Sequence, residues 1–133
     1  MTEEKEINPV MYIIMNKGLK MSTGKSIAQG AHAACEAVRI SKPELVEAWN
    51  KFGFYTKLVL EARNDKHLLT FQKYLEERDI KSVIIIDEGR TEVEKHTPTA
   101  LGIEIFDKND LGPIFKELNL FRDKIKVTVE FER

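Results

Sequence analysis

The feature that most constrains this chain is a set of short apolar runs, each too brief for a core helix, separated by longer helical patterns. Residues 10–15 (VMYIIM) and 82–87 (SVIIID) are nearly unbroken apolar stretches rich in β-favouring residues. Such runs read as strands buried on both faces. Residues 55–62 (YTKLVLEA) and 100–106 (ALGIEIF) read as two further strands. Helical patterns fill the intervals at about 25–40, 43–52 and 65–78, with Pro43 at the first turn of the second, where a missing N–H does no harm. A short final helix is expected over 110–121, and 124–132 (KIKVTVEFE) alternates like an edge strand. The order β-α-α-β-α-β-β-α-β predicts an α/β fold of three layers. Its sheet is mixed and mostly four-stranded, flanked by helices on both faces, with an extra C-terminal edge strand. A single domain over 1–133 is expected, with 1–9 flexible and 122–133 a C-terminal extension.

Bulk properties bound the function. At 133 residues the chain suits one domain with one core. A net charge of −1 offers no global attraction to a polyanion, so any nucleic-acid site must be a local patch. The acidic start (MTEEKEINP) lacks a basic-then-apolar leader, and no apolar run reaches membrane-spanning length. The single cysteine, Cys35, has no intramolecular partner. These features predict a reduced, cytoplasmic protein without a membrane partner. His32, His67 and His96 lie far apart in sequence, so neither a metal site nor a cofactor is expected.

The helix over 25–40 holds the chemistry. Lys25, Gln29, His32, Glu36 and Arg39 share one face, while Ile27, Ala31, Ala34, Cys35 and Val38 form the opposite one, expected to pack on the sheet. The polar stripe starts at a helix N-terminus, where free N–H groups favour anions. Between residues 16 and 42, Lys17, Lys20, Lys25, Arg39 and Lys42 stand against Glu36 alone, a basic patch suited to phosphate. "TGKS" (23–26) also suggests a nucleotide-binding loop, and "IIIDE" the acid that accompanies one. That loop needs four residues between its glycines, whereas Gly18 and Gly24 enclose five. A P-loop-like nucleotide-binding protein therefore ranks behind the reading that follows. Trp49 and Phe52 read as core residues.

"LKMSTGKSIAQGAHAA" (19–34) resembles the signature L-K-M-x-x-G-K-x-A-A-Q-x-x-H-A of the archaeal/eukaryotic-type (second type) peptidyl-tRNA hydrolases. "IIDEGRTEVEKHTPTALGI" (85–103) resembles their second signature, D-A-G-x-T followed by T-x-L-x-I. The likeness covers roughly 10–121. Departures mark a divergent member: Gly18 stands where the family has Asp, Ile27 and Glu88 replace alanines, and Gly30 replaces Cys.

The resemblance implies hydrolysis of the ester between a peptide and the 3′-terminal ribose of tRNA, which recycles the tRNA. With no G-x-S-x-G elbow in the chain, water activated by acid–base groups is the economical route. The implied catalytic set is Asp87, His32, Lys25, Thr91 and Thr99. Asp87 would orient or activate the water, directly or through His32. Lys25 would stabilise an oxyanion or bind a terminal phosphate, and the two threonines would position water and ester. Substrate contacts are implied for Gln29, Lys17, Lys20 and Arg90. The partner is the acceptor end of peptidyl-tRNA, and a homodimer is compatible with the resemblance. Two alternatives stay open: a tRNA- or peptide-binding module of the same fold without turnover, and a hydrolase of a related acyl ester.

Overall fold

Every residue of β1 (Pro9–Asn16) is buried, because this continuous apolar strand runs through the middle of the sheet with a layer on each side. The computed structural model describes residues 6–88 and 96–123. After β1 come α1 (Thr23–Ile40), α2 (Pro43–Lys51), β2 (Lys57–Ala62), α3 (Asp65–Glu76), β3 (Ser82–Asp87) and β4 (Thr97–Ile103). A two-residue β5 (Phe106–Asp107), the short α4 (Lys108–Leu111) and a 3-10 turn (Gly112–Phe115) follow. The sheet order is β2-β1-β4-β3, with β5 paired to the start of β1. β1 and β2 are parallel, whereas β4 runs antiparallel to both β1 and β3. The C-terminal ends of β1, β2 and β3 therefore lie at one end of the sheet, together with the start of β4.

The period of two in β1 divides the core. Val10, Tyr12 and Ile14 pack with Leu68 and Leu75 of α3 and with Phe106 and Phe115. Met11, Ile13 and Met15 pack on the other face with Ala33 and Ala37 of α1 and Trp49 of α2. Three layers result, as the element order predicts.

The differences from expectation have local causes. The strand read over 100–106 is two strands: the chain bends at Glu104 and Ile105, whose N–H groups are taken by Lys81 O and Ser41 Oγ. The helix read over 110–121 stops early, because Gly112 and Pro113 tighten it into the 3-10 turn. β2 begins at Lys57, since Phe54 and Tyr55 adopt left-handed φ values of 49° and 55° that no strand accommodates. Pro9, expected in a flexible lead, opens β1, and Asn8 N donates to Asp107 Oδ1 at 3.1 Å. Trp49 is core at 3% exposure, but Phe52 is 71% exposed. The expected edge strand over 124–132 lies outside the described residues.

Candidate active site

α1 is set by a cap at one end and a close approach in its middle. The Ser22 side chain accepts from Lys25 N at 3.1 Å, which starts the helix at Thr23. Midway, α1 lies so close to β4 that a Cβ on Gly102 would stand 2.2 Å from Ala33 O. Only glycine permits that contact. The first turns of α1 are thereby held over the end of the sheet where β3 finishes and β4 starts.

Two polar pairs form there. Lys25 Nζ lies 2.7 Å from Asp87 Oδ1, with only 11% and 8% of the two side chains exposed. One turn further along, Thr99 Oγ1 donates to Gln29 Oε1 at 2.5 Å, and Thr99 is fully buried. With its oxygen occupied, Gln29 keeps its amide N–H groups as donors. β3 ends the strand order, so Lys25, Gln29, Asp87 and Thr99 converge at a sheet edge. A buried carboxylate and ammonium in contact provide a base and a cation in a low-dielectric setting, where each acts strongly on a reacting group.

The remaining predicted residues are dispersed. His32 is exposed, seven residues beyond Lys25 and so about 10 Å further along the helix axis at ~1.5 Å per residue. Lys17 is turned elsewhere: its Nζ donates to Arg122 O at 2.7 Å and sits 5.0 Å from the Phe121 ring centroid. Lys20 is exposed, and Arg39 pairs with Glu36 at 3.7 Å. Arg90 and Thr91 lie outside the described residues. The expected sheet-packing face of α1 is corrected by the structure. Ala33 and Ala37 are the residues fully buried on the sheet, and Ala34 and Val38 of the expected face pack beside them, whereas Ile27 is 67% exposed and Ala31 and Cys35 are exposed too. The helix is rotated so that Lys25 and Gln29 turn partly inward.

Two residues near the site escaped the sequence reading. Asn16 is fully buried; its Nδ2 donates to Asp65 Oδ1 at 2.6 Å and Pro98 O at 2.8 Å, while its Oδ1 accepts from Gly18 N at 3.0 Å. It ties the end of β1 to the strand segment carrying Thr99. An Asn closing an apolar strand two residues before a glycine was the available signal. His96, at a φ of 63°, closes the β3–β4 connection by donating its N–H to Asp87 O at 2.7 Å. Gly18 also gains a reason: a Cβ there would stand 2.8 Å from Arg63 O, so the β2–α3 connection fills the space of a side chain.

Comparison with known proteins decides the family. The profile described as Peptidyl-tRNA hydrolase PTH2 matches residues 9–121. The chain belongs to this family. A peptidyl-tRNA hydrolase of Thermococcus onnurineus is 35% identical over 104 residues, covering 72% of this chain and 87% of that protein. One from Methanopyrus kandleri is 33% identical over 112 residues, covering 83% and 96%. A probable peptidyl-tRNA hydrolase 2 of Drosophila melanogaster is 28% identical over 113 residues, covering 83% and 60%. The PTH2 match runs from the first residue of β1 to Phe121, so it includes both polar pairs of the site. No helix among the described residues is long and apolar enough to cross a membrane.

Proposed function

We propose that this PTH2-family chain is a cytoplasmic peptidyl-tRNA hydrolase that cleaves the ester joining a peptide to the 3′-terminal ribose of tRNA. The observation that carries the reading is the Lys25–Asp87 pair, 2.7 Å apart and almost withdrawn from water at the head of α1. In this reading Asp87 accepts a proton from a water as its oxygen attacks the ester carbonyl. Negative charge then develops on the carbonyl oxygen while Asp87 loses its own. Lys25, released from its counter-charge at that moment, stabilises the oxyanion. Collapse breaks the bond from carbonyl carbon to ribose oxygen, and the ribose takes up the proton. The new carboxylic acid gives up its remaining proton to solvent, so the products are a free peptide carboxylate and a tRNA with an intact 3′ end.

Gln29 donates to the ribose or the peptide backbone through its amide. Thr99, being buried, is a positioning residue that sets the Gln29 side chain. His32, exposed on the same helix and with no contact to Asp87 among the described hydrogen bonds and ion pairs, is assigned to substrate contact. Thr91 and Arg90, which follow Asp87 in the chain, keep the roles of orienting water and meeting phosphate. Lys20 is exposed at the surface to meet phosphate, and Lys17 does so by exchanging the Arg122 carbonyl for it.

The test is release from three substrates: N-acetyl-aminoacyl-tRNA, unblocked aminoacyl-tRNA and ATP. Turnover is expected on the N-acetylated ester. Phosphate release from ATP alone would return the chain to the nucleotide-binding reading.

A further inference from the structure

The flank of α1 that faces β2 carries an open groove of about 1040 Å³. Its floor is Ile13, Met15 and Val59, and Ile27, Ala31 and Ala34 of α1 form one wall. One end opens at Lys20, Thr23 and Ser26, in the same helical turns from which Lys25 reaches Asp87. The other end reaches Lys57, whose ammonium lies 4.9 Å from the Trp49 ring centroid and 5.7 Å from that of Tyr55. Tyr55, beside Lys57, is 50% exposed, and Phe52 and Phe54, which precede it in the chain, are 71% and 85% exposed.

Each of these features would be weak alone, and together they specify one kind of ligand. Among the described lining residues, Lys17, Lys20, Lys57 and Arg122 stand against a single acid, Asp123. Consecutive left-handed φ values at Phe54 and Tyr55 are strained, and they hold apolar rings in water, the reverse of what folding alone favours. A cationic groove that tracks a backbone and ends in exposed aromatic rings suits single-stranded nucleic acid, whose phosphates meet cations and whose bases stack. A peptide would account for the apolar floor but leave the excess of cations without purpose. A duplex hides its base faces and would leave the rings unused.

We propose that this groove binds the unpaired 3′-terminal nucleotides of the tRNA and leads the ester round the head of α1 to Lys25 and Asp87. The inference rests on the hydrolase reading for the identity of the RNA and adds the path its strand takes. Phosphates run past Lys17, Lys20 and Lys57, and a base stacks on the ring of Phe54 or Tyr55.

The test separates binding from turnover. A fluorescently labelled single-stranded RNA ending in CCA is titrated by anisotropy into the wild type and into Lys57→Glu, Ala31→Glu and Phe54→Ser. Thermal melts identify which variants are folded. Lys57→Glu and Ala31→Glu place an acid in the track and should each weaken binding about tenfold or more at low salt. Phe54→Ser should cost roughly fivefold or more through lost stacking. On N-acetyl-Phe-tRNA and N-acetyl-Asp-tRNA the same variants should raise KM alike and leave kcat near the wild-type value. Unchanged RNA affinity in the folded variants would overturn the proposal. So would a loss confined to N-acetyl-Phe-tRNA, which would make the groove an acyl pocket. A wild type that cleaves neither tRNA would defeat the hydrolase reading, while the RNA titration would still decide the groove.

Discussion

α1 meets the sheet with two flanks that differ in what they hide. Toward β3 and β4 polar groups are withdrawn from water alongside Ala33 and Ala37: Lys25 and Asp87 are each about nine-tenths buried, and Thr99 entirely. Toward β2 the exposed groups are apolar, with Ile27 at 67% exposure above a groove floored by Ile13 and Val59. Both arrangements invert the ordinary partition of side chains. Burying an ion pair incurs a desolvation penalty that its attraction often fails to recover, so its retention points to chemistry rather than stability. An exposed apolar surface rimmed by cations points to contact. In the proposed scheme the two flanks of one helix divide reaction from binding.

The largest effect should come from the buried flank. Asp87→Asn keeps the shape and removes the base. Release from N-acetyl-aminoacyl-tRNA should fall by roughly 10²–10⁴-fold, with affinity for CCA-ended RNA unchanged. Normal turnover combined with a lowered Tm would make the pair structural and dissolve the comparison. Lys25→Ala should instead reduce turnover and tRNA affinity together, because in the proposed mechanism the ammonium serves the oxyanion and lies beside the proposed path of the strand.

Both flanks should fail together when α1 is lifted. Gly102→Ala puts a methyl where only 2.2 Å separates it from Ala33 O, and such overpacking costs about 1–3 kcal/mol or more. A lowered Tm is expected along with losses in hydrolysis and in RNA binding. If only one activity suffered, the flanks would not share α1 as their common support.

Ile27→Ser sharpens the contrast from the other side. This side chain is already in water, so stability should shift by no more than about 0.5 kcal/mol in a denaturant melt, while the KM for the tRNA ester rises. A strongly destabilised Ile27→Ser would mean that the groove wall is core.

The smallest effect is a pH control on the opposite face of the sheet. His67 Nδ1 on α3 accepts the Arg63 N–H at 2.9 Å, which requires that nitrogen to be unprotonated. Burial, and secondarily the Arg63 charge, lower its pKa from the ordinary 6.5. A depressed folded value means that this contribution is fully present above 6.5 and is lost as pH falls through the folded value. Tm should therefore decline slightly on acidification through that range, and His67→Gln should flatten the decline. A matching shift in RNA affinity in wild type, absent from His67→Gln, would show coupling between the two faces.

The parts of the site legible in the sequence were those with a pattern around them. Asp87 closes an apolar strand, and Lys25 and Gln29 sit one turn apart behind a loop glycine. The orientation of α1 was not legible. Its residues from 23 to 37 are mostly Ala, Gly, Ser and Thr, so no side has enough apolar contrast to declare itself, and Ile27 pointed the wrong way. Contact with the sheet is instead made through Ala33, at the one place on β4 where Gly102 lets a backbone approach. That is a pairing of two small residues far apart in the chain. Asn16 was missed for the same reason, since its worth lies in reaching Asp65 and Pro98.

By itself the sequence determined the succession of strands and helices from β1 to β4 and hence the layered α/β class, because periods of two and of about 3.6 are local properties of the chain. It also supplied the two spaced motifs that mark the family. Tertiary structure alone decided which side of α1 faces inward, that the Lys25 ammonium and the Asp87 carboxylate meet at 2.7 Å, and that a groove stays open toward Lys57. Those outcomes depend on contacts between segments remote in sequence, where steric fit and burial act on pairs of surfaces rather than along one strand or helix.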